Sequence, residues 1–329
     1  MHRVSNWAGI ALLIALGLSV GLPQQRVLPD PYKVESALVH IPVIVSDPQG
    51  RYVPDLKAGD FTLFQDEARQ PIALFATAQE PIKIALMLDT SKSTFPVLDR
   101  IKKAARRFLQ ELRPQDMAMI VAFDLEVKVL NRLSADSAQL DEVIKGVKVG
   151  DYVGTKLRDA VFEVLAKRFR GIPGRKAIIL LTDGQDYRSE VSKADLLSLA
   201  AESDTVIYSI LYTIDPREAM KKLFGISSRM PRTRSGPEAR ATLAREKEAA
   251  DFVEQLSNAG AGRLYRSEAA DLKRAFAQIT AELRHQYLLG FYPDKAKLDG
   301  TLHELRVQVA RADVVVRARR SYRATPESR

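Results

Sequence analysis

The sequence predicts an α/β fold: a doubly wound, mostly parallel sheet covered by helices, with a smaller β-sandwich built from segments on either side of it. Three observations carry this. Between Ile82 and Leu283 short apolar runs alternate with helical repeats, the pattern of strands buried on both faces. Before Ile82 and after Leu283 the chain shows short β-branched runs punctuated by turn residues. At 329 residues the chain exceeds the usual size of one domain, so a large core and a smaller companion are expected.

Residues 1–22 stand apart from the fold. His2 and Arg3 are basic, Trp7 to Val20 is apolar, and Pro23-Gln24-Gln25-Arg26 returns to polarity. That layout predicts a secretory signal peptide. Cleavage signals are weak, so a retained N-terminal anchor is the alternative, although the apolar run is short for a span of roughly 20 residues. Either outcome places the protein outside the cytoplasm, secreted or in the cell envelope.

Residues 30–80 form the first part of the β region. Ala37 to Ser46 is a β-branched run followed by the turn Asp47-Pro48-Gln49-Gly50. Pro42 within it predicts an edge strand. Phe61 to Asp66 and Pro71 to Phe75 supply two further strands.

The α/β part spans residues 82–283. Ile82 to Leu88 is a buried strand. Phe95 to Leu112 is an amphipathic helix with Leu98, Ile101, Ala105, Phe108 and Leu112 on one face. Met117 to Phe123 is a strand, with Glu126 to Leu130 as its hairpin partner at the sheet edge. Leu157 to Phe169 is a helix, Ala177 to Leu181 a strand, Lys193 to Ala201 a helix and Thr205 to Leu211 a strand. A helix around Phe252, Val253 and Leu256, a short strand at Arg263-Leu264-Tyr265 and a helix from Ala270 to Leu283 complete it. Residues 286–323 return to strand character, and His303 to Val309 alternates clearly. Because domain termini usually lie close together, the segments 30–80 and 286–323 are expected to pair into one discontinuous sandwich.

The chemistry concentrates at three places. Asp89-Thr90-Ser91-Lys92-Ser93 directly follows the first buried strand, Gly154-Thr155 heads a helix, and Lys176 to Leu181 runs into Thr182-Asp183-Gly184. Taken singly, each has an ordinary reading: a loop or helix cap, an N-cap at Thr155, and a turn after a strand at Asp183. Together they offer carboxylate and hydroxyl oxygens, the donors that a hard cation such as Mg²⁺ takes. Doubly wound sheets bind ligands outside the carboxyl ends of their strands, where the strand order reverses. Asp89 and Asp183 both fall at such ends.

Asp-x-Ser-x-Ser, then a Thr, then a strand ending Thr-Asp-Gly resembles the metal-ion-dependent adhesion site of von Willebrand factor type A domains, a Rossmann-type α/β fold. The resemblance implies that Asp89, Ser91, Ser93, Thr155 and Asp183 hold a divalent metal, Mg²⁺ in the first instance with Mn²⁺ or Ca²⁺ as substitutes. It also implies that a partner protein supplies an acidic oxygen to the open position. The order of signal segment, β region, type A domain and terminal strands looks like a VWFA-related family described from Acidobacteria.

Composition narrows the functional classes. Cysteine is absent, which removes disulfides, thiolate metal sites and cysteine nucleophiles. The four histidines, His2, His40, His285 and His303, are scattered, offer no zinc-like cluster and are expected at solvated positions. Ser-x-x-Lys does not occur. The chain is therefore expected to be a binding module and not an enzyme. A metal-assisted hydrolase and a structural envelope protein are the alternative readings. The net charge of +9 gathers in part between residues 217 and 247, which hold nine Lys or Arg. No aromatics interleave with the basic residues of Met230 to Pro237 as a single-strand nucleic-acid platform requires. Nucleic acid is thus not an expected partner; the segment is expected to be a mobile basic insertion before the helix at Phe252, with a surface for anionic lipid, glycan or an acidic protein partner as the alternative.

Overall fold

The computed structural model describes residues 38–151, 153–214, 237–269, 271–293 and 300–323. The chain opens with β1 (Val39–Ser46), β2 (Phe61–Gln65), β3 (Ala68–Gln70) and β4 (Leu74–Ala76). The α/β part follows. Its elements are β5 (Ile82–Asp89), α1 (Leu98–Gln110), β6 (Met117–Phe123), β7 (Val127–Val129), α2 (Ser137–Gly146), α3 (Leu157–Phe162), β8 (Arg175–Thr182), α4 (Lys193–Glu202), β9 (Thr205–Thr213), α5 (Pro237–Ala259), β10 (Arg263–Glu268) and α6 (Leu272–Leu283). It ends with β11 (Tyr287–Phe291), β12 (Leu302–Val309), β13 (Val315–Ala318) and β14 (Ser321–Arg323).

Six strands form the central sheet in the order β10-β9-β8-β5-β6-β7. All neighbours are parallel except the edge pair β6 and β7. From β5 the chain first winds outward to β6, then returns to the other side of β5 for β8, β9 and β10, so winding reverses between β5 and β8. The apolar run of β5 has no polar alternation because both faces are covered. Ile84, Leu86 and Leu88 meet Ile101 and Phe108 of α1, Ile144 of α2 and Ile279 of α6. Ala85 and Met87 meet Leu157 and Val161 of α3, Leu196 of α4 and Val253 of α5. Each fully buried Leu, Ile or Met contributes about 1.5–3 kcal/mol of transfer free energy.

Helix α2 is an element that apolar spacing alone leaves unassigned. Asp136 caps it, accepting from the backbone N–H groups of Ala138 and Gln139 at 3.0 Å, and Leu140 and Ile144 bury its inner face. The expected basic insertion is also corrected in part. From Pro237 onward it is the start of α5, a helix of 23 residues, while residues 215–236 lie outside the described residues.

The flanking segments form two four-stranded antiparallel sheets, β13-β1-β11-β4 and β14-β12-β2-β3. Each mixes strands from before and after the α/β part. Ile41, Val43 and Val45 of β1, Leu63 of β2, Leu289 and Phe291 of β11 and Leu305 of β12 share one core between them. The Phe61 and Tyr287 rings pack across it with centroids 5.3 Å apart. The edge position expected from Pro42 is wrong for the strand, since β1 lies between β13 and β11. Pro42 is tolerated because the ladder to β13 begins only at Val43, leaving the proline beyond that pairing.

The histidines also depart from expectation. His303 is buried and its Nδ1 lies 2.8 Å from Asp66 Oδ2, His285 stacks on Tyr52, and His40 Nδ1 lies 3.4 Å from Asp204. All three serve the β region and its junction with the central sheet.

Arg175, the first residue of β8, fixes that junction. Its guanidinium donates to the carbonyls of Ala78 and Glu80, at 3.2 and 2.9 Å, in the segment leading into β5. It also donates to the Leu283 carbonyl and to Gln286 Oε1 in the segment leaving α6. Burial pushes its pKa down to about 10. Among the described residues no helix is long and apolar enough to cross a membrane; the segment 1–22 expected to be a signal or anchor lies outside them.

Candidate metal centre

Parallel register sets Leu88 of β5 opposite Leu181 of β8, so Asp89 and Thr182 reach the carboxyl edge of the sheet together. Thr182 Oγ1 donates to Asp89 Oδ2 at 2.8 Å. The other carboxylate oxygen of Asp89 accepts from the Ser91 backbone N–H at 2.9 Å and from the Ser91 hydroxyl at 2.5 Å. A carboxylate bonded to the N–H two residues on is an Asx-turn. It folds the loop so that Ser91 Oγ and Ser93 Oγ stand 2.9 Å apart. Ser93 Oγ then donates to Asp183 Oδ2 at 2.7 Å, while Asp183 Oδ1 takes the Gln185 N–H at 3.0 Å. Four of the five expected ligands thus form one hydrogen-bonded chain, Asp89–Ser91–Ser93–Asp183, across the point where winding reverses.

The electrostatics suit a cation. Asp89 is fully buried, and burial, then the neighbouring charge of Asp183, pushes its carboxyl up to about 7. Among the described residues every hydrogen-bond partner of the two carboxylates is a hydroxyl or a backbone N–H; none is a Lys or Arg. A hydroxyl that gives its proton to a carboxylate keeps lone pairs for another acceptor-seeking group, so Ser91 and Ser93 remain able to face a metal. All the donors are oxygen, the set for Mg²⁺, Mn²⁺ or Ca²⁺. No cluster of three or more His, Cys, Asp or Glu suited to a metal occurs among the described residues, so a metal here depends on the hydroxyls.

Thr155 is placed differently. It is buried at the head of α3, and hydrogen bonds of its backbone and its neighbour's tie it to the other loops. The Thr155 carbonyl accepts from Tyr187 N–H at 2.7 Å, and the next residue, Lys156, donates its N–H to the Asp124 carbonyl at 2.7 Å. Its hydroxyl is not part of the hydrogen-bonded chain, nor is it the helix cap. The residue at the N-cap position is Lys156, without a side-chain cap bond. The orphan N–H groups of α3 are taken instead by Asp186 Oδ2, at 2.9 Å from Arg158 N, and by Ser189 Oγ. A distant carboxylate does the capping and leaves Thr155 Oγ1 available.

Sequence reasoning missed three supports. Thr182 orients Asp89, as above. Thr94 Oγ1 lies 2.9 Å from the hydroxyl of Tyr212, at the end of β9, and burial, then the charges of Asp89 and Asp183, raises the Tyr212 pKa. Asp124, just past the end of β6, accepts from Thr90 Oγ1 at 3.1 Å and from Glu126 N–H at 2.9 Å. It lies so close to Gly150 that a Cβ there would fall 2.2 Å from Asp124 Oδ2. Asp124 had a legible signal, an acid following a buried strand as at Asp89; Tyr212 had none.

Residues 84–185 match the family profile described as von Willebrand factor type A domain. Among curated proteins there is no match. Solved structures similar to the chain include a von Willebrand factor type A protein from Catenulispora acidiphila, at 14% identity over 80% of this chain and 72% of that one, with a TM-score of 0.47. The conserved hypothetical protein BatB from Bacteroides thetaiotaomicron is similar at 15% identity over 60% of this chain and 97% of that one, with a TM-score of 0.44. Proximal thread matrix protein 1 from the mussel byssus, solved with a zinc-occupied MIDAS motif, is similar at 14% identity and a TM-score of 0.44, covering 62% of this chain. The chain spans 48% of that mussel protein's length. The profile match covers the β5 to β8 segment, with its Asp89-x-Ser91-x-Ser93 loop, Thr155 and Thr182-Asp183-Gly184, and on that evidence the chain carries a von Willebrand factor type A domain.

Proposed function

We propose that the protein is an exported, metal-dependent binding module in which Asp89, Ser91, Ser93, Thr155 and Asp183 hold Mg²⁺ and capture an acidic side chain of a partner protein. The observation that carries this reading is the chain Asp89–Ser91–Ser93–Asp183 at the reversal of strand winding, with a fully buried carboxylate and no basic partner among the described residues. When bound, the cation offers an open position to a carboxylate oxygen. The residues of this chain orient the ligands: Thr182 fixes Asp89, the Asx-turn fixes Ser91, and Asp186 frees the Thr155 hydroxyl from capping α3. No His, Cys or Lys bonds to the ligand chain among the described residues, which favours capture over turnover. Export follows from the signal-like segment 1–22.

The test is calorimetric titration of the mature chain with Mg²⁺, paired with recovery of partners from a membrane and envelope fraction with and without chelator. One bound ion and partners released by chelator support the proposal. Lack of any divalent-ion binding by the folded chain would refute it.

A further inference from the structure

A metal that captures a carboxylate reads charge alone, and exposed acids are common on every protein surface. What surrounds the metal must therefore set the choice of partner. Of the eight large apolar side chains exposed among the described residues, three stand on the three loops that carry the candidate ligands. Phe95, 44% exposed, lies two residues beyond Ser93; Val153, 82% exposed, lies two before Thr155; Tyr187, 49% exposed, lies four beyond Asp183. Single exposed apolar residues are ordinary on any surface. Their coincidence with all three ligand loops is what calls for an explanation.

Backbone contacts tie the loops of Val153 and Tyr187 to their neighbours. The Val153 loop is tied at one end by the Gly150 N–H on the Thr90 carbonyl at 2.8 Å. At its other end Gly154 has φ +135° and packs so that a Cβ would fall 2.6 Å from Leu125 Cδ2. Tyr187 is fixed by its N–H on the Thr155 carbonyl at 2.7 Å and by its hydroxyl on Gln185 Oε1 at 3.3 Å. The loop of Phe95 also exposes Lys92, a charge that favours an anionic partner.

We propose that Phe95, Val153 and Tyr187 form an apolar rim that selects, as partner, a protein segment whose metal-seeking acidic residue is flanked by apolar residues. The inference rests on the metal-dependent capture proposed above and adds to it the sequence context of the captured acid. Burial of the flanking side chains against the rim contributes free energy in proportion to the apolar area covered, which a bare carboxylate does not gain.

The experiment titrates the full chain with three probes, acetyl-Phe-Asp-Phe-amide, acetyl-Gly-Asp-Gly-amide and acetyl-Phe-Asn-Phe-amide, each in excess Mg²⁺ and in chelator. The Phe-flanked Asp probe is expected to bind at least about tenfold tighter than the Gly-flanked one, and only with Mg²⁺. In a Val153→Ser, Tyr187→Ser double variant that preference shrinks to within about threefold, and Mg²⁺ affinity read in the same samples reports whether the metal site is intact. Equal binding of the two Asp probes would overturn the rim and leave metal capture standing. Equal binding of the Asn probe, or binding that ignores chelator, would overturn metal capture itself and the rim with it. Loss of Mg²⁺ affinity in the double variant would show these side chains to be structural, also against the proposal.

Discussion

Ser93 donates its hydroxyl to Asp183 across 2.7 Å, joining the ends of two neighbouring strands from positions ninety residues apart in the chain. Because Ser93 Oγ is also 2.9 Å from Ser91 Oγ, and Ser91 bonds Asp89, one hydroxyl pair ties both carboxylates to a single locus. The consequences are testable.

Asp89→Asn preserves shape and removes the buried charge. Mg²⁺ affinity is expected to fall by at least about 100-fold, beyond the usual effect of losing an outer-sphere partner. In chelator, the variant should melt no lower than the parent, since a buried charge without a cationic partner no longer has to be desolvated. Calorimetry and thermal denaturation check the two halves; unchanged affinity in a folded variant would exclude Asp89 as a ligand.

The pH dependence follows from the same carboxyl. Asp89 titrates at about 7 in the folded protein, raised from its ordinary 3.8. Between those values the folded state holds a proton that the unfolded chain has released. The contribution of Asp89 to the stability of the metal-free protein therefore declines as pH rises through this window, the reverse of a salt-bridged carboxylate. Metal binding must displace the proton, so Mg²⁺ affinity should drop by up to about tenfold per unit as pH falls below 7. Titrations across that range, with matching melts in chelator, test both signs. A flat affinity profile would contradict the assignment.

Truncation after Leu283 removes β11, which lies between β1 and β4, and β12, which lies between β2 and β14. Residues 39–76 should lose hydrogen-exchange protection, because β1, β2, β3 and β4 then retain only the β2 to β3 pairing and two strands alone are marginal in water. Full protection in the truncated chain would disprove the shared sandwich.

Arg175→Met fills the same space but leaves the Ala78, Glu80 and Leu283 carbonyls and the Gln286 amide oxygen without this donor. Arg113 still donates to the Ala78 and Glu80 carbonyls, so the buried Leu283 carbonyl and Gln286 Oε1 are the acceptors that lose their partner, and a loss of about 3 kcal/mol is the expectation in denaturant unfolding. Mg²⁺ affinity, measured alongside, should change little, since Arg175 sits at the opposite end of β8 from Asp183.

Much of this architecture was already written in local sequence. The unbroken apolar runs at Ile84 to Leu88 and Ala177 to Leu181 are readable as doubly covered strands because burial on both faces suppresses alternation. The acid that follows each such run must then lie at the sheet's carboxyl edge. The spacing of Ser91 and Ser93 from Asp89 is equally local, since an Asx-turn involves neighbours only. Helix α2 was less legible because its signal is a cap at Asp136 on a short apolar face.

What tertiary structure alone decided depends on contacts between distant positions. Pro42 reads as an edge residue, yet β1 lies between β13 and β11, and the proline is tolerated because the β13 pairing starts one residue later. Thr155 reads as a helix cap, yet Asp186 and Ser189, beyond the end of β8, take the N–H groups of Arg158 and Asp159 in the first turn of α3. Thr182, Tyr212 and Asp124 acquire their supporting roles only through strand register, which brings β8, β9 and β6 beside or near β5. Sequence by itself determined which oxygen-bearing side chains follow the two buried strands, as Asp89 and Asp183 do. The packed sheet determined which hydroxyl meets which carboxylate, because hydrogen bonds form only at separations of about 3 Å and no local pattern specifies distances across strands.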